Sequence, residues 1–151
     1  METRQEFALE LAKAARIWRA RLDDRLKQTG LTQARWIALM HLSLSGGGLS
    51  QRALAELIGV EGPTLGRCLD ALEAQGLIER RPDNQDRRVN IVHLTESAGP
   101  ILDEINGIAA ELRHAVLAAI PTHDLLTCLD VFGRIQQVLR DGSSVDTKEK
   151  P

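Results

Sequence analysis

Apolar residues recur every three or four positions along most of this 151-residue chain, the spacing of one face of an α-helix. Phe7, Leu11, Ala14, Ala15, Trp18, Leu22 and Leu26 share such a face and predict a helix over residues 5–28. Gly30 suits its stop, because glycine takes the left-handed position after a helix without a Cβ clash. Thr32 is placed to cap a second helix that carries Trp36, Ile37, Leu39 and Met40 and ends near Ser45. "SGGG", Ser45 to Gly48, reads as a turn. Ser50 then caps a two-turn helix, "QRALAELI", with Ala53, Leu54, Leu57 and Ile58 inward, and Gly59 breaks it. Pro63, whose missing N–H costs nothing in a first turn, opens the next helix. Leu65, Cys68, Leu69 and Leu72 form its inward stripe, and Gly76 ends it.

The period then shortens to two. "LIER", Leu77 to Arg80, and "VNIVHL", Val89 to Leu94, alternate or run β-branched. The turn formers of "RPDNQDRR" lie between them, which predicts a two-stranded hairpin with a long tip. Thr95 is positioned to cap a helix with Glu96 against its dipole and the stripe Ile101, Ile105, Ile108, Leu112, Val116 and Ile120. Pro100 is expected to remove one backbone bond and bend its first turn. Pro121-Thr122 breaks and recaps the chain before a last helix lined by Leu125, Leu129, Phe132, Ile135 and Leu139. The polar stretch "DGSSVDTKEKP", residues 141–151, reads as disordered. Two short helices across a glycine turn, followed by a hairpin, are a helix-turn-helix with a wing. The fold class is therefore mainly α with a small β-hairpin wing (α+β), in one domain over residues 1–140.

Composition narrows the function. At 43% hydrophobic and 26% charged residues, the chain reads as a globular protein. It lacks an apolar run of membrane-spanning length and a secretory leader, which points to the cytoplasm. The formal net charge is -2, and residues 35–88 carry seven basic and seven acidic groups. Any affinity for nucleic acid must come from where the arginines are placed, not from the sum. The hairpin supplies such a placement. Arg80, Arg81, Arg87 and Arg88 lie within nine residues, and a guanidinium at the end of a β-ribbon can enter a minor groove.

With these elements in place, "LTQARWIALMHL" and "LSQRALAELIGVEGPTLGRCLDALEAQGLIERRPDNQDRRVNIVHLTESAGPIL" resemble the MarR family of bacterial transcriptional regulators, and within it the SlyA-like branch. The likeness spans roughly residues 10–140 and is most specific where Asp86-Arg87-Arg88 follows a helix-turn-helix and precedes Leu94-Thr95-Glu96. It implies a homodimer of winged helices joined by N- and C-terminal helices (residues 5–28 and 96–140), with a DNA-binding lobe over 32–95. It also implies double-stranded promoter DNA as the partner, usually with repression.

The resemblance assigns roles. The recognition helix, about Glu61 to Gln75, enters the major groove and offers Gly62, Pro63, Thr64, Gly66 and Arg67, the last able to contact guanine. Ser50, Gln51 and Arg52 suit phosphates, as free N–H groups at a helix start do. Arg88 is assigned to the minor groove and Arg87 to the backbone. Asp86 orients an arginine, Arg88 or Arg67, and Arg80 and Arg81 at the wing base reach phosphates. Solvated tip arginines, or an Arg67 paired with Asp70 or Glu61, are the plainer alternatives. The apolar stripes at both ends of the chain want a second copy. A twofold dimer then fits a near-palindrome with half-sites roughly 10 bp apart.

The family also implies a cleft for a small aromatic carboxylate effector. Lys13 and Arg16 are candidates for the carboxylate, with Trp18, Trp36 and Met40 as an apolar wall; tryptophans at helical spacing also serve as core. Cys68 and Cys128 read as small buried hydrophobes. The four histidines form no metal-ligand spacing, and neither a cofactor motif nor a catalytic motif is present. Two other classes are weighed: a winged helix that docks an acidic protein through its arginine tip, and a Cys–His hydrolase, which requires an exposed Cys68.

Overall fold

The computed structural model describes residues 2–142. Helix α1 spans Thr3–Leu26 and passes through a 3-10 turn, Lys27–Thr29, into Gly30, whose φ of 75° is the left-handed stop expected of it. Then follow α2 (Gln33–Leu44), β1 (Leu49–Ser50), α3 (Gln51–Ile58), α4 (Gly62–Ala74), β2 (Ile78–Pro82), β3 (Asn90–Leu94), α5 (Ala98–Leu117) and α6 (Thr122–Asp141). This is the mainly helical winged helix-turn-helix that the pattern predicts. One compact unit ends at Leu112 and a second begins at Arg113, within α5. Of the tail expected over 141–151, Asp141 closes α6 and Gly142 is its cap; residues 143–151 lie outside the described residues.

The first unit is built around side chains with almost no exposure: Trp36, Leu39 and Leu42 from α2, Leu54 from α3, and Leu65, Leu69 and Leu72 from α4. Leu26 of α1, Ile78 of β2, Val92 of β3 and Ile105 of α5 join this core. The stripe Leu65, Cys68, Leu69 and Leu72 is buried as expected. Gly76 takes φ 73°. There the Gly76 amide donates to the Glu73 carbonyl and the Leu77 amide to the Leu72 carbonyl, at 2.9 and 3.0 Å. These bonds satisfy the last carbonyls of α4 and turn the chain into β2.

The sheet has three strands, in the order β1-β3-β2, instead of the two expected. Leu49 pairs with Val92 and Ser50 with Ile91. A two-residue strand carries no alternation, so no period announces it. Gly48 is what admits it: a Cβ there would lie 2.5 Å from the His93 ring and 2.6 Å from the Ile91 side chain.

On α1 only Leu22 and Leu26 are buried, while Phe7, 45% exposed, and Ala14 and Ala15 of the same apolar face are exposed. Other expectations are corrected. On α3 the buried pair is Leu54 and Ala55, and Leu57 is exposed. At about 100° per residue Leu57 lies roughly 200° round the helix from Ala55. Thr95 does not cap α5, which starts at Ala98. Its hydroxyl donates to the Gly76 carbonyl (2.5 Å) and its amide to the Leu77 carbonyl (3.1 Å), tying the end of α4 to the end of β3. Pro100 is then the third residue of α5, where an N–H would find no intrahelical partner, so the expected bend has no cause. Pro121, not Thr122, is the N-cap of α6. Cys128, expected to be buried, is exposed; Val116 and Ile120 of the apolar stripe are exposed as well.

Candidate nucleic-acid interface

Ser50 ends β1 in an extended conformation and starts α3, with its hydroxyl oxygen accepting the Ala53 N–H at 3.0 Å. That cap leaves the first amides of α3 pointing outward beside Gln51 and Arg52. Arg52 is 91% exposed and pairs along the helix with Glu56 at 3.5 Å. Val60 and the N-cap Glu61 lead into α4, which Gly62 and Pro63 open and whose exposed residues include Pro63, Thr64 and Arg67. Arg67 makes no ion pair among the described residues, so neither Asp70 nor Glu61 holds it.

The wing is closed by backbone bonds across its tip: the Asp83 amide donates to the Val89 carbonyl (2.8 Å) and the Val89 amide to the Asp86 carbonyl (3.0 Å). Strand register runs from Ile78 opposite Leu94 to Pro82 opposite Asn90. Pro82 stands at the end of an edge strand, where a lost donor is tolerated. Asp86 turns back on Arg88. Its Oδ1 accepts from the Arg88 amide and Nε, each at 3.1 Å, and its Oδ2 accepts from Nη2 at 3.3 Å. These bonds hold the Asp86 carboxyl below the usual carboxylate range, the guanidinium contributing most and the amide next. Arg88 is aimed and yet 90% exposed. Arg87 beside it is exposed.

Gln51, Arg52 and Glu56 of α3, Gly62 of α4, and Arg88, Val89 and Asn90 of the wing line one open groove of about 490 Å³. The groove thus joins residues that are nearly 40 positions apart in the chain. Asn90 is a residue the sequence reading missed; its signal is a polar side chain at the start of a strand directly after the tip arginines. Thr64 does not reach this groove. It lines a smaller cleft of about 170 Å³ with Gln33, Ile37 and Cys68. Arg81 pairs with Glu79 on its own strand. Arg80 is three-quarters covered and is gripped by two carboxylates of α4.

The candidate effector residues do not converge. Trp36 is core, 2% exposed, and its indole N–H donates to Asp23 Oδ1 at 3.0 Å. Met40 packs against the core, Trp18 is half-buried, and Lys13 pairs with Glu10. Arg16 lies in a separate groove of about 430 Å³ with Arg19 and Gln33, two residues the sequence reading did not single out. Cys68 is buried, and burial pushes its thiol pKa up despite the nearby Arg35 charge. The exposed thiol that a hydrolase requires is therefore not Cys68. Among the described residues no cluster of His, Cys, Asp and Glu could hold a metal ion, and no single helix is long and apolar enough to cross a membrane.

Comparison with known proteins agrees with this geometry. A model described as MarR family matches residues 29–89, the stretch from the last residue of the 3-10 turn after α1 to the end of the wing tip. The crystal structure of transcriptional regulator PA3341 is 44% identical, with 89% of this chain and 98% of that one aligned at a TM-score of 0.85. A MarR family transcriptional regulator from Silicibacter pomeroyi is 28% identical, with 84% of each chain covered and a TM-score of 0.77. The transcriptional regulator BldR from Sulfolobus solfataricus is 27% identical over 89% of this chain and 99% of its own, with a TM-score of 0.72. With its winged helix-turn-helix and a likeness of that depth along its length, the chain belongs to the MarR family of DNA-binding transcriptional regulators.

Proposed function

We propose that this chain acts as a homodimer on a near-palindromic promoter site and represses by occupying it. In this reading α4 lies in the major groove, with Arg67 toward a base edge and Gly62, Pro63 and Thr64 letting the backbone approach. Ser50, Gln51 and Arg52 meet phosphates, as do Arg81 and Arg87, and Arg88 enters the minor groove. The observation that carries the reading is the single groove shared by the start of α3, the start of α4 and Arg88. The DNA-binding lobe is residues 32–95, and residues 5–28 and 96–140 supply the dimer contacts. Asp86-Arg87-Arg88 ahead of Leu94-Thr95-Glu96 supports the SlyA-like branch.

Dimerisation is supported by apolar surface. Helix α6 buries no residue within the chain and exposes Leu126, Leu129, Phe132, Val138 and Leu139; α1 exposes Phe7, Leu9 and Ile17. Soluble monomers rarely leave such surface uncovered. An effector is part of the proposal: a small aromatic carboxylate held by Arg16, with Arg19 beside it, would alter the spacing of the two recognition helices.

The test is to incubate the purified protein with sheared genomic DNA and sequence what it retains, beside Arg88→Ala. Enrichment of fragments that share a near-palindrome, lost in the variant, is the expected result. Weak retention without sequence preference would favour the protein-docking alternative. Adding benzoate to the same assay should lower retention by the unsubstituted protein and leave Arg16→Ala unaffected.

A further inference from the structure

Arg80 looks from its sequence like one more phosphate contact, yet its guanidinium is already occupied. Its Nε donates to Glu73 Oε2 and its Nη2 to Asp70 Oδ1, both at 2.6 Å. The side chain is only 24% exposed. The placement follows from the strand. Side chains two apart on β2 share a face, so Arg80 follows Ile78 on the inner side, where Ile78 is buried against the core. Glu79 and Arg81 take the other face and pair with each other. Asp70 and Glu73 are three apart on α4 and therefore stand together on its surface. Arginine suits the junction because its planar fork can reach two carboxylates at once, which a lysine ammonium does less well.

A second consequence concerns Arg67. Asp70 lies one helical turn from it, the spacing at which an arginine and an aspartate ordinarily pair. Asp70 is instead engaged by Arg80, and Arg67 stays without an ion-pair partner among the described residues.

We infer that Arg80 is a positioning residue that locks the base of the wing to the recognition helix and draws Asp70 away from Arg67, without touching DNA itself. The inference rests on the DNA-binding reading of the groove. It makes the wing and α4 a single rigid reader, so that the minor-groove arginine and the major-groove helix keep a fixed offset.

Two measurements test it. The first needs no DNA: hydrogen exchange of wing amides in Arg80→Gln against the unsubstituted protein. Exchange across Ile78–Pro82 and Asn90–Leu94 should quicken several-fold while the core amides of α2 stay protected. Unchanged wing exchange would overturn the lock, whatever the protein does with DNA. The second is the salt dependence of binding to a retained fragment. A phosphate contact contributes about 0.9 to the slope of log affinity against log salt. The lock predicts roughly tenfold weaker binding with the slope intact. A slope lowered by about 0.9 would make Arg80 a phosphate contact, and undiminished affinity would make it an idle ion pair. If the unsubstituted protein retains no DNA, the functional reading fails, and the exchange result still decides the lock.

Discussion

Among single residues, Asp86 is placed to act on the proposed DNA contact through Arg88. Its three bonds to Arg88 fix the direction of a side chain that is otherwise fully in solvent. The carboxyl pKa is depressed, so its contribution is present above the ordinary carboxylate pKa and lost only as pH falls through the lowered value. NMR titration of the Asp86 carboxyl should accordingly give a midpoint below the ordinary aspartate value. Replacing Asp86 by Asn should weaken DNA retention less than Arg88→Ala, because the guanidinium survives while its aim is relaxed. Cys68 carries the opposite sign. Burial raises its thiol pKa, so its stabilising effect is full below the unfolded value of about 8.5 and declines as pH rises past it. Thermal melting should thus fall more steeply above that pH in the unsubstituted protein than in Cys68→Ala. Gly48 is a steric requirement: Gly48→Ala must displace His93 or Ile91. Lower stability with lost β1 pairing, seen by amide exchange, is the expected outcome.

Among the elements, α4 is the most constrained. Its inner stripe is fully buried, and Leu69→Ala should cost about 2–5 kcal/mol, the range for removing a leucine from a packed core; chemical denaturation measures it. Its start is set by Pro63 and its end by Gly76, and both boundaries are readable in sequence because they depend on backbone chemistry alone. The wing was less readable. The strands and tip follow from alternation and turn formers, but β1 does not, since its two residues become a strand only when Gly48 lets them approach β3. The N-cap of α3 is local: Ser50→Ala should cost about 1 kcal/mol and loosen the first turn of α3. Thr95 resembles a cap by type and spacing, yet its hydroxyl bonds to Gly76, 19 residues away. A local pattern cannot choose between a near partner and a distant one.

For the whole molecule, the exposed apolar face of α6 makes the strongest forecast. Leu129→Glu combined with Leu139→Glu should yield a folded monomer by sedimentation, with much weaker retention of palindromic DNA; a persistent dimer would move the interface elsewhere. Period and turn chemistry were enough to determine the helices of the lobe and the hairpin of β2 and β3, because each depends on residues close together in the chain. Tertiary structure alone decided which apolar residues are core and which are surface: Trp36 is buried and bonded to Asp23, while Leu57 and Cys128 are exposed. It also decided which arginines are free. Arg67, Arg80 and Arg88 are the same residue type, and only the carboxylates that folding brings to each one separate an unpaired side chain, a lock and an aimed tip. The physical reason is that a charge's role depends on its partners in space, and partners seven or ten residues away along the chain leave no periodic trace in sequence.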